Sequence, residues 1–153
     1  MIEIKSFLKT KNSFINILEF KEKIEDEFYI NGAITISING NEFMTFELWD
    51  LVDQLWAYIA EGIASISRNK EFETYFPDQP IKLSFIPLNK YAVKLTLDRS
   101  GTTIESIVNK QLFIKSASEA GMLFFSSLKQ LLPPTTIYDE SIANLELAIA
   151  SLN

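Results

Sequence analysis

The sequence has no histidine and no cysteine among its 153 residues. The first absence removes the side chain that ordinarily serves as acid and base near neutral pH. The second removes the thiolate nucleophile and the disulfide, and the two together remove the common zinc ligands. A serine triad in its usual form is excluded for want of histidine. Glycine is scarce: there are five, widely spaced, and no G-x-x-x-x-G-K or G-x-G-x-x-G run to cradle a phosphate. Chemistry is left to carboxylates, lysines, hydroxyls and the backbone, and no spacing among these marks a catalytic set. The expectation is a chain that is not an enzyme and uses no cofactor or metal.

Long apolar runs are also missing. No stretch approaches about eighteen uninterrupted apolar residues, so no membrane-spanning helix is expected. The start, Met1-Ile2-Glu3-Ile4-Lys5, alternates apolar with polar and carries an early acid, unlike a secretory signal. With no cysteine, this points to a cytoplasmic protein. Basic residues are few and scattered. A net charge of −6 repels phosphate, which argues against nucleic acid as a partner and in favour of a basic protein.

What is present suits a folded chain: 47% hydrophobic and 22% charged residues can build a core. The length fits a single domain spanning 1–153. Residues 2–9 read as a strand and 13–20 as a second apolar run, followed by a densely charged stretch over 19–27. Ile34, Ile36 and Ile38 alternate with small residues ahead of Asn39-Gly40, a strong hairpin signal. Trp49, Val52, Trp56, Ile59, Ile63 and Ile66 recur at helical spacing and predict a helix over 46–67, N-capped by Thr45.

Residues 69–80 read as a loop. Strands are expected at 81–86, 91–98 and 102–114, the last bulged near Asn109. Ser116-Ala117-Ser118-Glu119 fits a capping box opening a helix that stops before Pro133-Pro134, and a last helix is expected over 139–152. The fold class is α+β: a mainly antiparallel sheet of six to seven strands with two to three helices on one face. The same alternation predicts a polar second sheet face carrying Thr35, Ser37, Lys82, Ser84, Lys94 and Thr96.

Two stretches carry the candidate site residues. Glu71, Glu73, Tyr75, Phe76 and Asp78 crowd aromatics among acids, the composition of protein-binding anchors. The plainer reading is that two of the three aromatics in 71–78 fold back onto the long helix. Asp50, Gln54, Tyr58 and Glu61 fall on the polar side of the predicted helix. Asp50 and Asp53, one turn apart, have the spacing to hold a divalent cation where other ligands converge; a solvated helix face explains them as well. Asp53, nearer the apolar boundary, is placed to accept from an indole or a backbone amide.

The order Phe76-Pro77-Asp78-Gln79-Pro80-Ile81-Lys82-Leu83-Ser84-Phe85, the hairpin 91–98, and a strand running into Ala120-Gly121-Met122-Leu123-Phe124-Phe125 resemble small bacterial immunity proteins of polymorphic toxin systems. The resemblance covers the layout of residues 30–132 and contains no diagnostic motif. It implies a cytoplasmic, acidic domain that neutralises a cognate toxin by occlusion. The other readings are a carboxylate-dependent, metal-using enzyme and a structural, self-associating domain.

Overall fold

The computed structural model describes residues 1–152. In chain order the strands are β1 (Ile2–Lys9), β2 (Phe14–Asn16), β3 (Asn31–Ile38), β4 (Asn41–Met44), β5 (Asp50–Leu51), β6 (Phe72–Tyr75), β7 (Ile81–Pro87), β8 (Ala92–Arg99) and β9 (Thr102–Asn109). The helices are α1 (Val52–Ser67), α2 (Lys110–Lys129) and α3 (Asp139–Ala150), with a single 3₁₀ turn at Phe46–Leu48. The class is α+β and the strands are antiparallel, as the alternation predicts. Among the described residues they number nine, however, and divide into two sheets: β2-β1-β3-β4 with β5 also on β3, and β6-β7-β8-β9.

Each sheet buries one row of apolar residues. In the first sheet, Ile4 faces Ile36 and Ser6 faces Ile34; in the second, Leu83 faces Leu97 and Phe85 faces Leu95. The helices fill the space behind both rows. Trp56 of α1 is fully buried, stacks on Phe124 of α2 and donates from its indole to Ser6 Oγ of β1 at 2.8 Å. Phe113 of α2 meets Phe85 of β7 edge-on at 5.2 Å. One apolar core, running from Leu8 to Ala148, therefore serves both sheets and all three helices. Two glycines allow the close approaches. A Cβ at Gly62 would overlap the Phe72 and Phe85 rings, and one at Gly121 would lie 2.8 Å from Leu145 and 2.9 Å from Trp56.

Asn39 and Gly40 both adopt positive φ, 50° and 83°, so the β3–β4 hairpin turns as its sequence demands. Elsewhere tertiary pairing overrides the local pattern. The long helix starts at Val52, not at 46, because Asp50–Leu51 pairs with Asn31–Gly32 of β3 and the Val52 amide donates to the Ile30 carbonyl. Thr45 accordingly caps the 3₁₀ turn, accepting from the Glu47 amide. Trp49 lies outside the helix, 38% exposed, rather than on its apolar stripe.

Only Phe14–Asn16 of the run 13–20 forms a strand. Residues 72–75, expected as loop, form the edge strand β6. The third strand of 102–114 stops at Asn109, whose side chain accepts from the Leu112 amide at 2.8 Å and opens α2. The apparent bulge is thus a strand-to-helix junction, and Ser116 lies two turns inside the helix instead of capping it. No helix among the described residues is long and apolar enough to cross a membrane.

Candidate functional site

Alternation places β7 and β8 side chains on two faces, and the helices occupy only one of them. The outer face of the second sheet carries three cross-strand rows. The first is Tyr75, Lys82, Asp98 and Thr103; the second is Glu73, Ser84, Thr96 and Glu105; the third is Ile86, Lys94 and Ile107. Tyr75 and Ile107 are each 64% exposed, so two large apolar side chains stand near opposite edges of a face otherwise made of charges and hydroxyls. Lys82 pairs with Glu73 at 3.1 Å, and that carboxylate holds the Lys82 ammonium above its ordinary pKa. Ser84 is buried at the centre, and the Thr96 hydroxyl is enclosed there without a hydrogen-bond partner among the described residues.

This face unites two groups of residues that the sequence presents separately. Glu73 and Tyr75 come from the aromatic-acidic stretch; Lys82, Ser84, Lys94 and Thr96 come from the predicted polar sheet face. They meet because 72–75 adds to the sheet edge beside β7. Thr35 and Ser37, expected on the same face, belong to the first sheet. Glu71 and Asp78 are on either side of β6, Glu71 exposed and Asp78 further along the connection to β7.

Phe76 is not a surface anchor. It is 4% exposed, its amide donates to the Ile81 carbonyl, and its ring belongs to the core. Phe72, half-buried, packs on Phe85 at 5.6 Å. Two of the three aromatics in 71–78 thus turn inward, and Tyr75 alone remains accessible.

The second group of residues is dispersed. Asp50 does not lie on the helix; it is 2% exposed and receives the amides of Leu51 at 2.7 Å, Asp78 at 3.1 Å and Gln79 at 2.9 Å. The Gln79 side chain donates to the Trp49 carbonyl beside it. Asp50 therefore bolts β5 of the first sheet to the β6–β7 connection of the second, and it is a structural carboxylate rather than a surface one. Gln54 and Tyr58 are half-buried on α1, and Glu61 alone of that set is exposed.

Asp53 accepts from the Gln54 amide at 2.9 Å and from the Tyr138 hydroxyl at 2.9 Å, and the Trp56 indole goes to Ser6 instead. Burial holds the Asp53 carboxyl above its ordinary pKa, opposed in part by these hydrogen bonds. Burial and the neighbouring Asp53 charge push the Tyr138 hydroxyl up as well. Asp50 and Asp53 thus engage different partners, and no three acidic side chains among the described residues gather to hold a cation.

Sequence reasoning misses a further exposed aromatic pair. Phe28 and Tyr29, 74% and 66% exposed, follow directly on Glu25-Asp26-Glu27. A cleft of about 760 Å³ lies between 21–28 and 130–133. The signal is the aromatic pair ending the charged run, which reads as an edge or a helical turn when charge alone is considered. Comparison of the chain with protein-family models, with curated proteins and with solved structures finds no match.

Proposed function

We propose that this chain is a non-catalytic protein-binding domain that neutralises a basic bacterial toxin domain by covering it, using the outer face of β6–β9. One observation carries the reading: the helices pack behind the sheet, and the opposite face is left open with Tyr75 and Ile107 standing out of a charged surface. Exposed aromatics ringed by polar groups are the usual anchors of protein interfaces. On the face itself Glu73, Asp98 and Glu105 outnumber Lys82 and Lys94, and Glu71 and Asp78 add acid at its margin. An acidic rim speeds encounter with a basic partner and loses that advantage as salt rises.

The test is affinity capture from the native host with the wild-type chain and with a Glu73→Lys, Tyr75→Ala double variant. The expected result is a basic protein held by the wild type alone, whose toxic activity the wild type blocks and the variant does not. Equal capture by both proteins would remove this face from the mechanism. A captured partner whose activity is untouched would remove the neutralising role.

A further inference from the structure

We propose that the free edge of β9 is a self-association seam, joining two copies of this chain antiparallel into one continuous sheet. The two sheets end in four edges. β2 has three residues, β4 has four and β6 has four, whereas β9 has eight. Short edges expose few unpaired backbone groups; a long one is a template for another strand. β9 also lacks the usual protection. Its sequence, Thr-Thr-Ile-Glu-Ser-Ile-Val-Asn, holds no proline and no lysine and one charge; Ile107 is 64% exposed, and Ile104, 44% exposed, lines a cleft with Phe43 and Leu48 that flanks only the Thr102 end of the strand.

The direction of the free groups follows from the turn. Ser100 and Gly101 both have positive φ, 51° and 80°, and close a two-residue hairpin on the pair Arg99 and Thr102. Such a closing pair is hydrogen-bonded, and bonded pairs then recur at every second residue. The Lys110 amide donating to the Tyr91 carbonyl at 2.8 Å keeps the same parity at the far end. Thr102, Ile104, Ser106 and Val108 therefore bond β8, while Thr103, Glu105 and Ile107 direct their N–H and C=O groups outward.

Charge selects the occupant. A basic partner is drawn to the acidic stretches of a chain of net charge −6, whereas the β9 edge carries only Glu105. Spread over eight residues, that single charge is sparser than the one in four on β4 or β6, so two like-charged copies meet there with less repulsion than along either; β2 carries no charge but offers only three residues. A two-fold axis normal to the sheet keeps inner faces together, so residues of like parity oppose one another. With the axis at Ser106, Thr103–Asn109 is paired throughout, Ile104 faces Val108 of the second copy, and the Glu105 carboxylates are offset. With the axis at Glu105 the carboxylates would stand directly opposite, which is unfavourable.

The experiment is sedimentation equilibrium from about 1 to about 500 µM, the range in which a small interface assembles, with amide exchange read at both ends. The expected result is a concentration-dependent dimer in which the Glu105 and Ile107 amides become slow, while those of Ser106 and Val108 are slow throughout. Ile107→Pro removes an outward N–H without touching the β8 ladder, and Ile107→Lys adds charge at the seam; both should be monomeric. If the proline variant fails to fold, the lysine variant and the wild-type exchange pattern decide. A wild type that stays monomeric, a dimer that survives both variants, or outward amides that exchange fast within the dimer overturns the proposal. Ile107 belongs to both surfaces, but Glu73 and Tyr75 sit at the opposite edge, so the Glu73→Lys, Tyr75→Ala variant tests the toxin face without touching the seam, and a monomeric wild type leaves the toxin-binding reading standing.

Discussion

The two sheets treat their outer faces differently. On the first, Phe7 and Phe14 take the Phe46 ring between them, edge-on at 4.8 Å and stacked at 4.7 Å, and Ala33, opposite Phe7 on the same face, is fully buried. Trp49 extends this cover, with Lys9 Nζ over its ring at 4.7 Å. On the second, Lys82 and Lys94 are half-buried, Thr103 is exposed, and Tyr75 and Ile107 project into solvent. The source of the cover is the segment between β4 and α1. Its 3₁₀ turn and Trp49 fold back over β1, and the β6–β9 meander has no comparable insertion. A face that supplies its own aromatic lid is part of the fold; the face that keeps Tyr75 and Ile107 without a lid is the one on which the proposed function rests.

The largest expected effect comes from separating the two sheets. Asp50→Ala strands three amides, one from each of Leu51, Asp78 and Gln79. Losing three charge-assisted bonds to part-buried donors costs about 3 kcal/mol. For a chain of this size that corresponds to a fall of roughly 6–12 °C in Tm. Thermal or denaturant unfolding checks it; a loss under about 1 kcal/mol would mean that the bolt contributes little and that the core alone aligns the sheets.

The contrast between lid and open face is tested by a matched pair of truncations. Phe46→Ala removes the centre of the aromatic lid and should cost about 2 kcal/mol, less than a fully buried ring because Phe46 is 41% exposed. Tyr75→Ala, on the uncovered face, should change stability by less than about 0.5 kcal/mol. Urea denaturation of the two variants gives the comparison directly. Equal losses would erase the distinction, since Tyr75 would then be supporting the fold as Phe46 does.

The sequence exposes the elements whose own residues decide them. Ile34, Ile36 and Ile38 with Asn39-Gly40 predict a hairpin that forms as read, and β7, β8 and α3 fall where alternation and periodicity put them. It misleads where a distant strand decides. Nothing local says that Asp50–Leu51 pairs with β3, so periodicity assigns Trp49 to the helix. Nothing local says that Phe72–Tyr75 finds an edge at β7, so it reads as loop. The candidate site follows the same division. Glu73 and Tyr75 are conspicuous by composition, but their company with Lys82 and Lys94 exists only through sheet pairing. Asp50 and Phe76 read as surface residues because polarity and aromaticity do not reveal which groups the other sheet will enclose.

The smallest effect concerns Asp53 in the first turn of α1, held by Tyr138 of the loop before α3. Burial raises the pKa of this carboxyl in the folded chain. Just above the ordinary carboxylate range the folded state therefore binds more protons than the unfolded one. The contribution of Asp53 to stability is greatest below that range and is lost as pH rises through its raised folded pKa. The carboxamide of an Asp53→Asn variant has no such dependence and still offers Tyr138 an acceptor. The stability of this variant relative to wild type should improve as pH increases from about 3 to about 7, the slope lying in the window just above the ordinary carboxylate value. Paired denaturation midpoints across that range test it. A difference independent of pH would show that Asp53 ionises in the folded chain as it does in the unfolded one, and that the Tyr138 hydrogen bond fully offsets its burial.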